Sequence, residues 1–202
     1  MPIPQSMAWA LKKILSTRDI FEKGNRLQEF IVGEKFSIRK CYNQLNGDVN
    51  PVSWKRLICN NKASPKSIFI TWLAVLNRLT TKVRLVSWQM LNDPSCPICQ
   101  QENEDVLHLF IKCNYSATIW QKCLQILKCP RPIVSFMSEV NIAAEQCRRR
   151  HKKSQVYGMV FTDAVYQLWM QRNQKVFENK LVSPDQVVDN IIFNVACRCL
   201  RI

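Results

Sequence analysis

Cys96, Cys99, His108 and Cys113 stand at C-x2-C-x8-H-x4-C, a spacing that constrains the surrounding chain to bring three sulfurs and one imidazole to a point. Three thiolates and one imidazole complete a tetrahedral set for Zn²⁺, at about 2.3 Å for sulfur and about 2.0 Å for nitrogen. The turn Cys96-Pro97-Ile98-Cys99 grips with two sulfurs from one loop, and His108 with Cys113 closes the set from a second element. All four positions are then taken by protein and none stays open for an activated water. The pattern therefore predicts one structural Zn²⁺ per chain and a binding module, not a metalloenzyme. Against it, free cysteine is among the most buried residue types, and ten cysteines raise the chance of an accidental C-x-x-C pair. Pro97, the polar run Gln100-Gln101-Glu102-Asn103 and the closing His/Cys weigh for the metal. Cys123 and Cys129 are close enough in sequence to replace one ligand, so the set stays open by one member.

The charge balance limits the partners. Against 15 acidic residues stand 29 basic ones, a net +14 in 202 residues. Such an excess points to a polyanion, RNA or DNA first; the plainer reading is solubility alone. Lys12 and Lys13 interrupt the first apolar stretch, and no secretory pattern precedes them. No uncharged run exceeds eleven residues (Ser67 to Asn77), too few to span a bilayer, so no membrane partner is expected. The expectation is an intracellular protein with reduced thiols, in nucleus or cytoplasm, the nucleus being favoured.

Periodicity predicts helices almost throughout. Met7 to Glu22 has helical apolar spacing; Phe30-Ile31-Val32 reads as a short extended piece closed by Gly33; Phe36-Ser37-Ile38 begins a helix capped by Ser37. Asn46-Gly47-Asp48 signals a turn, and Ser53 a cap for Trp54 to Cys59. The segment after Pro65, apolar on nearly every face from Ile68 to Leu76, reads as the buried central helix. Thr80 or Thr81 caps the next helix, and Asn114 the helix Tyr115 to Leu127, with Ile119, Trp120, Cys123 and Leu127 as its stripe. Pro130 and Pro132 mark a hinge. Beyond it lie helices over Val134 to Cys147 and Gln155 to Asn179, the latter with a core stripe of Tyr166, Trp169, Met170, Asn173 and Phe177. Ser183-Pro184-Asp185 starts a last helix whose apolar face is Val187, Val188, Ile191, Ile192 and Val195.

Arg148-Arg149-Arg150-His151-Lys152-Lys153 is either a phosphate clamp or import signal, or a solvated helix end whose cations suit the dipole of the preceding helix. Cys147 with His151, and Cys197 with Cys199, are too few to hold a metal alone. No phosphate-binding Gly-rich loop and no nucleophile elbow occurs in the sequence.

The chain resembles the reverse transcriptase zinc-binding domain of plant non-LTR retrotransposons. Phe36-Ser37-Ile38…Tyr42 and Trp54 resemble its entry. Pro65-Lys66…Phe69…Trp72-Leu73-Ala74…Arg78-Leu79-Thr80-Thr81…Arg84-Leu85 resembles its central signature. Glu104…His108-Leu109-Phe110…Cys113…Trp120 is similar to its knuckle exit, and Leu168-Trp169…Arg172-Asn173…Phe177 to an element that often trails the domain. The resemblance implies a role in a retroelement ribonucleoprotein, associated with a separate polymerase and holding template RNA or target DNA. It does not imply polymerisation: that chemistry needs paired aspartates for two Mg²⁺, and the nearest approach, Phe161-Thr162-Asp163-Ala164, lacks the second carboxylate. No endonuclease segment is recognised, and the sequence reads as a detached C-terminal piece.

The expected fold is mostly α: an irregular helical domain with an embedded CCHC zinc knuckle, plus a C-terminal helical extension. The expected segments are a helical lead-in over 1–30, the zinc-binding domain over 31–128 and a helical region over 133–202. The expected function is non-catalytic nucleic-acid binding through Lys82, Arg84, Lys112, Arg148, Arg149, Arg150, Lys152 and Lys153. The alternative is a zinc-stabilised interaction or structural remnant without nucleic-acid affinity. Convergence of the basic residues on one face beside the knuckle would favour the first.

Overall fold

A computed structural model of the chain describes residues 30–46, 52–149 and 151–200. The helix expected over Met7 to Glu22, the turn residues Gly47 and Asp48, and Arg150 lie outside these. Among the described residues the fold is helical apart from one two-stranded sheet. The chain divides into two compact units, 1–51 and 52–202.

In the first unit, β1 (Ile31–Val32) pairs antiparallel with β2 (Lys35–Phe36), Ile31 opposite Phe36 and Val32 opposite Lys35. Gly33 and Glu34 join them with φ of +54° and +64°, and positive φ at both central residues is what a tight hairpin of this hand demands. Phe36 thus ends a strand and does not open the helix. Ser37 does cap: its Oγ accepts the Lys40 N–H at 3.3 Å, at the start of α1 (Ile38–Asn46).

The second unit contains α2 (Lys55–Cys59), α3 (Pro65–Val75), α4 (Lys82–Ser87), a π-helical turn (His108–Lys112), α5 (Asn114–Ile126), α6 (Phe136–Arg148), α7 (Lys152–Glu178) and α8 (Pro184–Cys199). Its axis is α7, 27 residues and about 40 Å long, packed against α3, α5, α6, α8 and the π turn. The expected central helix, α3, packs on α7 with one face and is not buried all round. Its buried positions are Ser67, Thr71 and Ala74, a stripe of small residues that lets its backbone approach α7, while Phe69 on the other side is 52% exposed.

The core stripe of α7 also differs from the expected one. It runs through Tyr157, Phe161, Ala164 and Leu168 to Arg172, while Trp169 alone of the expected residues is buried and Phe177 is 80% exposed. Trp120 of α5 meets the rings of Tyr157 and Phe161 edge-on at 6.0 and 5.3 Å. Pro130 and Pro132 lie exposed in the connection between α5 and α6, within the second unit and not between two bodies. There Arg131 pairs with the buried Glu139 (Nη1 to Oε1, 2.7 Å) and donates to the Tyr157 hydroxyl.

Three helix starts are capped otherwise than the sequence suggests. Ser53 does not cap α2 but donates to Asn141 Oδ1 at 2.7 Å. At α4 the Thr81 side chain does no capping, and the Lys82 amide donates to Glu104 Oε2 at 2.7 Å. At α5 the capping position is Cys113, and Asn114 is already helical. Ser183 caps α8 as expected, accepting the Gln186 N–H at 3.3 Å, and Val187, Val188, Ile191 and Val195 are buried.

Candidate metal centre

The loop before the π turn is closed at its base by an antiparallel bridge between Ser95 and Asn103, with the Glu104 amide donating to the Pro94 carbonyl and the Cys96 amide to the Glu102 carbonyl, both at 2.8 Å. At its tip the Gln100 amide reaches back to the Cys96 carbonyl, and Gln100 takes φ of +56° to make the turn. Cys96 and Cys99 are thereby held on one side of a tight hairpin.

The second pair is aligned by backbone geometry. In an α-helix a residue five positions on lies roughly 140° around the axis. In the π turn the i→i+5 bond, here Cys113 N–H to His108 C=O at 2.8 Å, puts the two residues in neighbouring positions. Asp105 fixes the start of this segment, its Oδ1 accepting the His108 N–H at 2.6 Å. Spacing shows H-x4-C; it does not show that the helix must widen to use it.

The result is one cluster. The ligand atoms of Cys96, Cys99, His108 and Cys113 all lie within 4.8 Å of one another. Cys96, Cys113 and His108 are buried and Cys99 partly so. His108 presents Nε2 to Cys99 Sγ at 3.2 Å, while Nδ1 faces Glu102 Oε2 at 3.1 Å. A carboxylate on the far nitrogen fixes the ring's orientation and directs Nε2 toward a metal. Glu102 was part of the polar run in the sequence, but nothing there distinguished it from Gln100, Gln101 or Asn103.

Of the sulfurs, Cys113 is the one its surroundings set for negative charge. A hydrogen bond between Cys96 and Cys113 pushes the Cys96 thiol up and the Cys113 thiol down. The Tyr115 and Ser116 amides, at the start of α5, favour the Cys113 thiolate, and the Ile98 and Cys99 amides point at Cys96. The donor set of three sulfurs and one nitrogen, closed by protein on all sides, fits a tetrahedral structural metal.

Cys123 is not in this cluster. It is fully buried in the hydrophobic core, which pushes its thiol up to about 12. Cys147 packs against Gly158, where any side chain would collide with its sulfur. Asp163 is buried and accepts from Ser67 Oγ at 2.8 Å and Asn194 Nδ2 at 3.1 Å, the groups of a structural network.

The basic residues are divided between the surroundings of the metal loop and the junction of α6 and α7. Lys82 pairs with Asp93 at 2.9 Å, and Arg84 donates to the Asn77 carbonyl with its guanidinium 4.8 Å from the Trp88 ring centroid. Lys112 is exposed at the end of the π turn. Arg148, Arg149, Lys152 and Lys153 are exposed around the junction of α6 and α7. Glu104 joins the Lys82 amide to Arg172, twenty residues up α7 from Lys152, a rise of about 30 Å. The basic run and the Lys82 region thus lie toward opposite ends of that helix.

Among the described residues no helix is long and apolar enough to cross a membrane. Comparison with curated proteins and with solved structures gives no match. The family model described as zinc-binding in reverse transcriptase matches residues 36–120, which hold all four clustered ligands, and describes a zinc-binding domain, not a catalytic one. The stretch 36–120 of this chain is thus similar to reverse transcriptase zinc-binding domains.

Proposed function

We propose that the protein is a non-catalytic module of retrotransposon origin, built around one structural Zn²⁺ on Cys96, Cys99, His108 and Cys113, that binds RNA or DNA through phosphate contacts. The observation that carries the nucleic-acid part is the placement of Lys152 and Lys153. Both are exposed in the first turn of α7, where the helix dipole disfavours cations by about 0.3–1 kcal/mol each. Arg148, in the last turn of α6, suits its dipole; the two lysines do not suit theirs. A bound phosphate compensates both the dipole and the lysines. The net charge of +14 supplies the long-range attraction. The setting we propose is intracellular, in association with a retroelement polymerase or ribonucleoprotein.

A salt-titrated binding assay on the zinc-loaded chain tests this. If about four to six phosphates are neutralised, the log–log slope is roughly −3 to −5. No binding at low salt, or an affinity indifferent to salt, refutes it. Primer extension with Mg²⁺ or Mn²⁺ is expected to give no product.

The separation of the basic groups favours a second reading. Lys82 and Arg84 are engaged within the chain and lie far from the basic run, as in a scaffold whose charges serve its own packing. On that reading the zinc domain is an interaction or structural remnant without nucleic-acid affinity.

A further inference from the structure

Helix α4 has six residues and buries none of them, so nothing in the core calls for a tryptophan at its end. Yet Trp88 is there, 48% exposed, beside a groove of about 430 Å³ lined by Asn77, Arg78, Arg84 and Asp105 among others. That volume is within the range of small-ligand sites.

The indole is held in place. Arg84 stacks on it, and the same guanidinium is tethered to the Asn77 carbonyl. Directly after it, Gln89 turns the backbone with φ of +59°, and the Met90 amide bonds back to Leu85 at 3.0 Å. A half-exposed ring fixed from one side is a preformed stacking surface. Arg78, exposed and following the left-handed Asn77, brings a cation to the same groove. Asp105 has one oxygen committed to the His108 amide; its charge disfavours a phosphate at that wall and suits the amino edge of a base.

An aromatic face together with an arginine is the combination that single-stranded nucleic acids recognise, because every unpaired base offers a π face and every nucleotide a phosphate. A duplex hides the base faces in its stack. We propose that this groove seats one unpaired nucleotide of an RNA or DNA strand, its base stacked on Trp88 and its phosphate against Arg78. The assignment rests on the nucleic-acid reading above and adds to it a preference for single strands.

The test uses the full zinc-loaded chain with oligo-U, oligo-dT and a mixed-sequence duplex, followed by fluorescence anisotropy. Trp88→Ala is expected to weaken single-strand binding about tenfold and to leave duplex binding within about twofold. Trp88→Phe restores most of the loss. Arg78→Ala makes the single-strand salt slope shallower by about 0.7. Zinc content and circular dichroism establish that each variant is folded. A folded Trp88→Ala protein that binds single strands as wild type does, or loses duplex affinity equally, overturns the groove while leaving phosphate binding intact. So does a Trp88→Phe protein no better than Trp88→Ala. Absence of binding to every probe by the wild type removes the underlying reading and the groove with it.

Discussion

Arg172 of α7 grips Glu104 of the metal loop with two parallel hydrogen bonds, Nε to Oε1 at 2.7 Å and Nη2 to Oε2 at 2.9 Å, and both side chains are almost wholly buried. Glu104 also accepts the Lys82 amide, and Arg172 donates to the Thr80 carbonyl while lying over the Trp169 ring. One ion pair therefore ties α4, the metal loop and α7 together. Removing either partner leaves a buried charge uncompensated, which costs about 3–5 kcal/mol. Arg172→Ala is expected to lower stability to urea by that amount. The double variant Glu104→Gln/Arg172→Met, which keeps an acceptor for the Lys82 amide, loses less than the sum of the two single changes.

Metal content should follow the cluster. Wild type is expected to bind one Zn²⁺ per chain by metal analysis, and Cys113→Ser to lower that stoichiometry. In the same variant amide exchange accelerates over residues 93–115, while α7 stays protected. Glu102→Gln removes the orienting carboxylate from His108 and weakens zinc about tenfold in competition with a chelator, with the helices unchanged.

Replacing Arg148, Arg149 and Arg150 together with alanine should flatten the salt dependence of nucleic-acid binding. If each neutralises one phosphate, the slope falls in magnitude by about 2–3 on duplex DNA. Sequence preference is expected not to change, since phosphate contacts carry none.

Asp163 predicts a pH dependence. Burial raises its pKa above the ordinary carboxylate value, against the Asn194 and Ser67 hydrogen bonds that lower it. The native state therefore holds the proton more tightly than the unfolded chain. This contribution to stability is full below the unfolded pKa and is lost as pH rises through the native one. Asp163→Asn, which cannot ionise, should gain stability relative to wild type as pH is raised from acid toward neutral. Parallel urea midpoints for the two proteins across that range would show the opposite.

The metal cluster was legible because its four donors lie within eighteen residues and answer to a coordination rule. The helices were legible from periodicity, and Ser37 and Ser183 from capping chemistry. What stayed hidden depends on distant partners. The mean apolarity of α3 suggested the centre of the core, but the small residues Ser67, Thr71 and Ala74 decide which face packs. The stripe through Tyr166 and Phe177 is helical in period, yet α7 is rotated so that Tyr157, Phe161 and Leu168 face inward. Glu104 and Arg172 stand 68 residues apart, and no local pattern marks them as a pair.

The Glu104–Arg172 link bears on how this domain can be cut out or moved. A graft of residues 36–120 into another protein would carry the carboxylate and leave its guanidinium behind. The transplanted loop would then have to protonate Glu104, hydrate it or find a new cation. The portable unit for engineering this zinc site is thus the metal loop together with α7, and a fragment trimmed to the family match should need a host that supplies an arginine from outside.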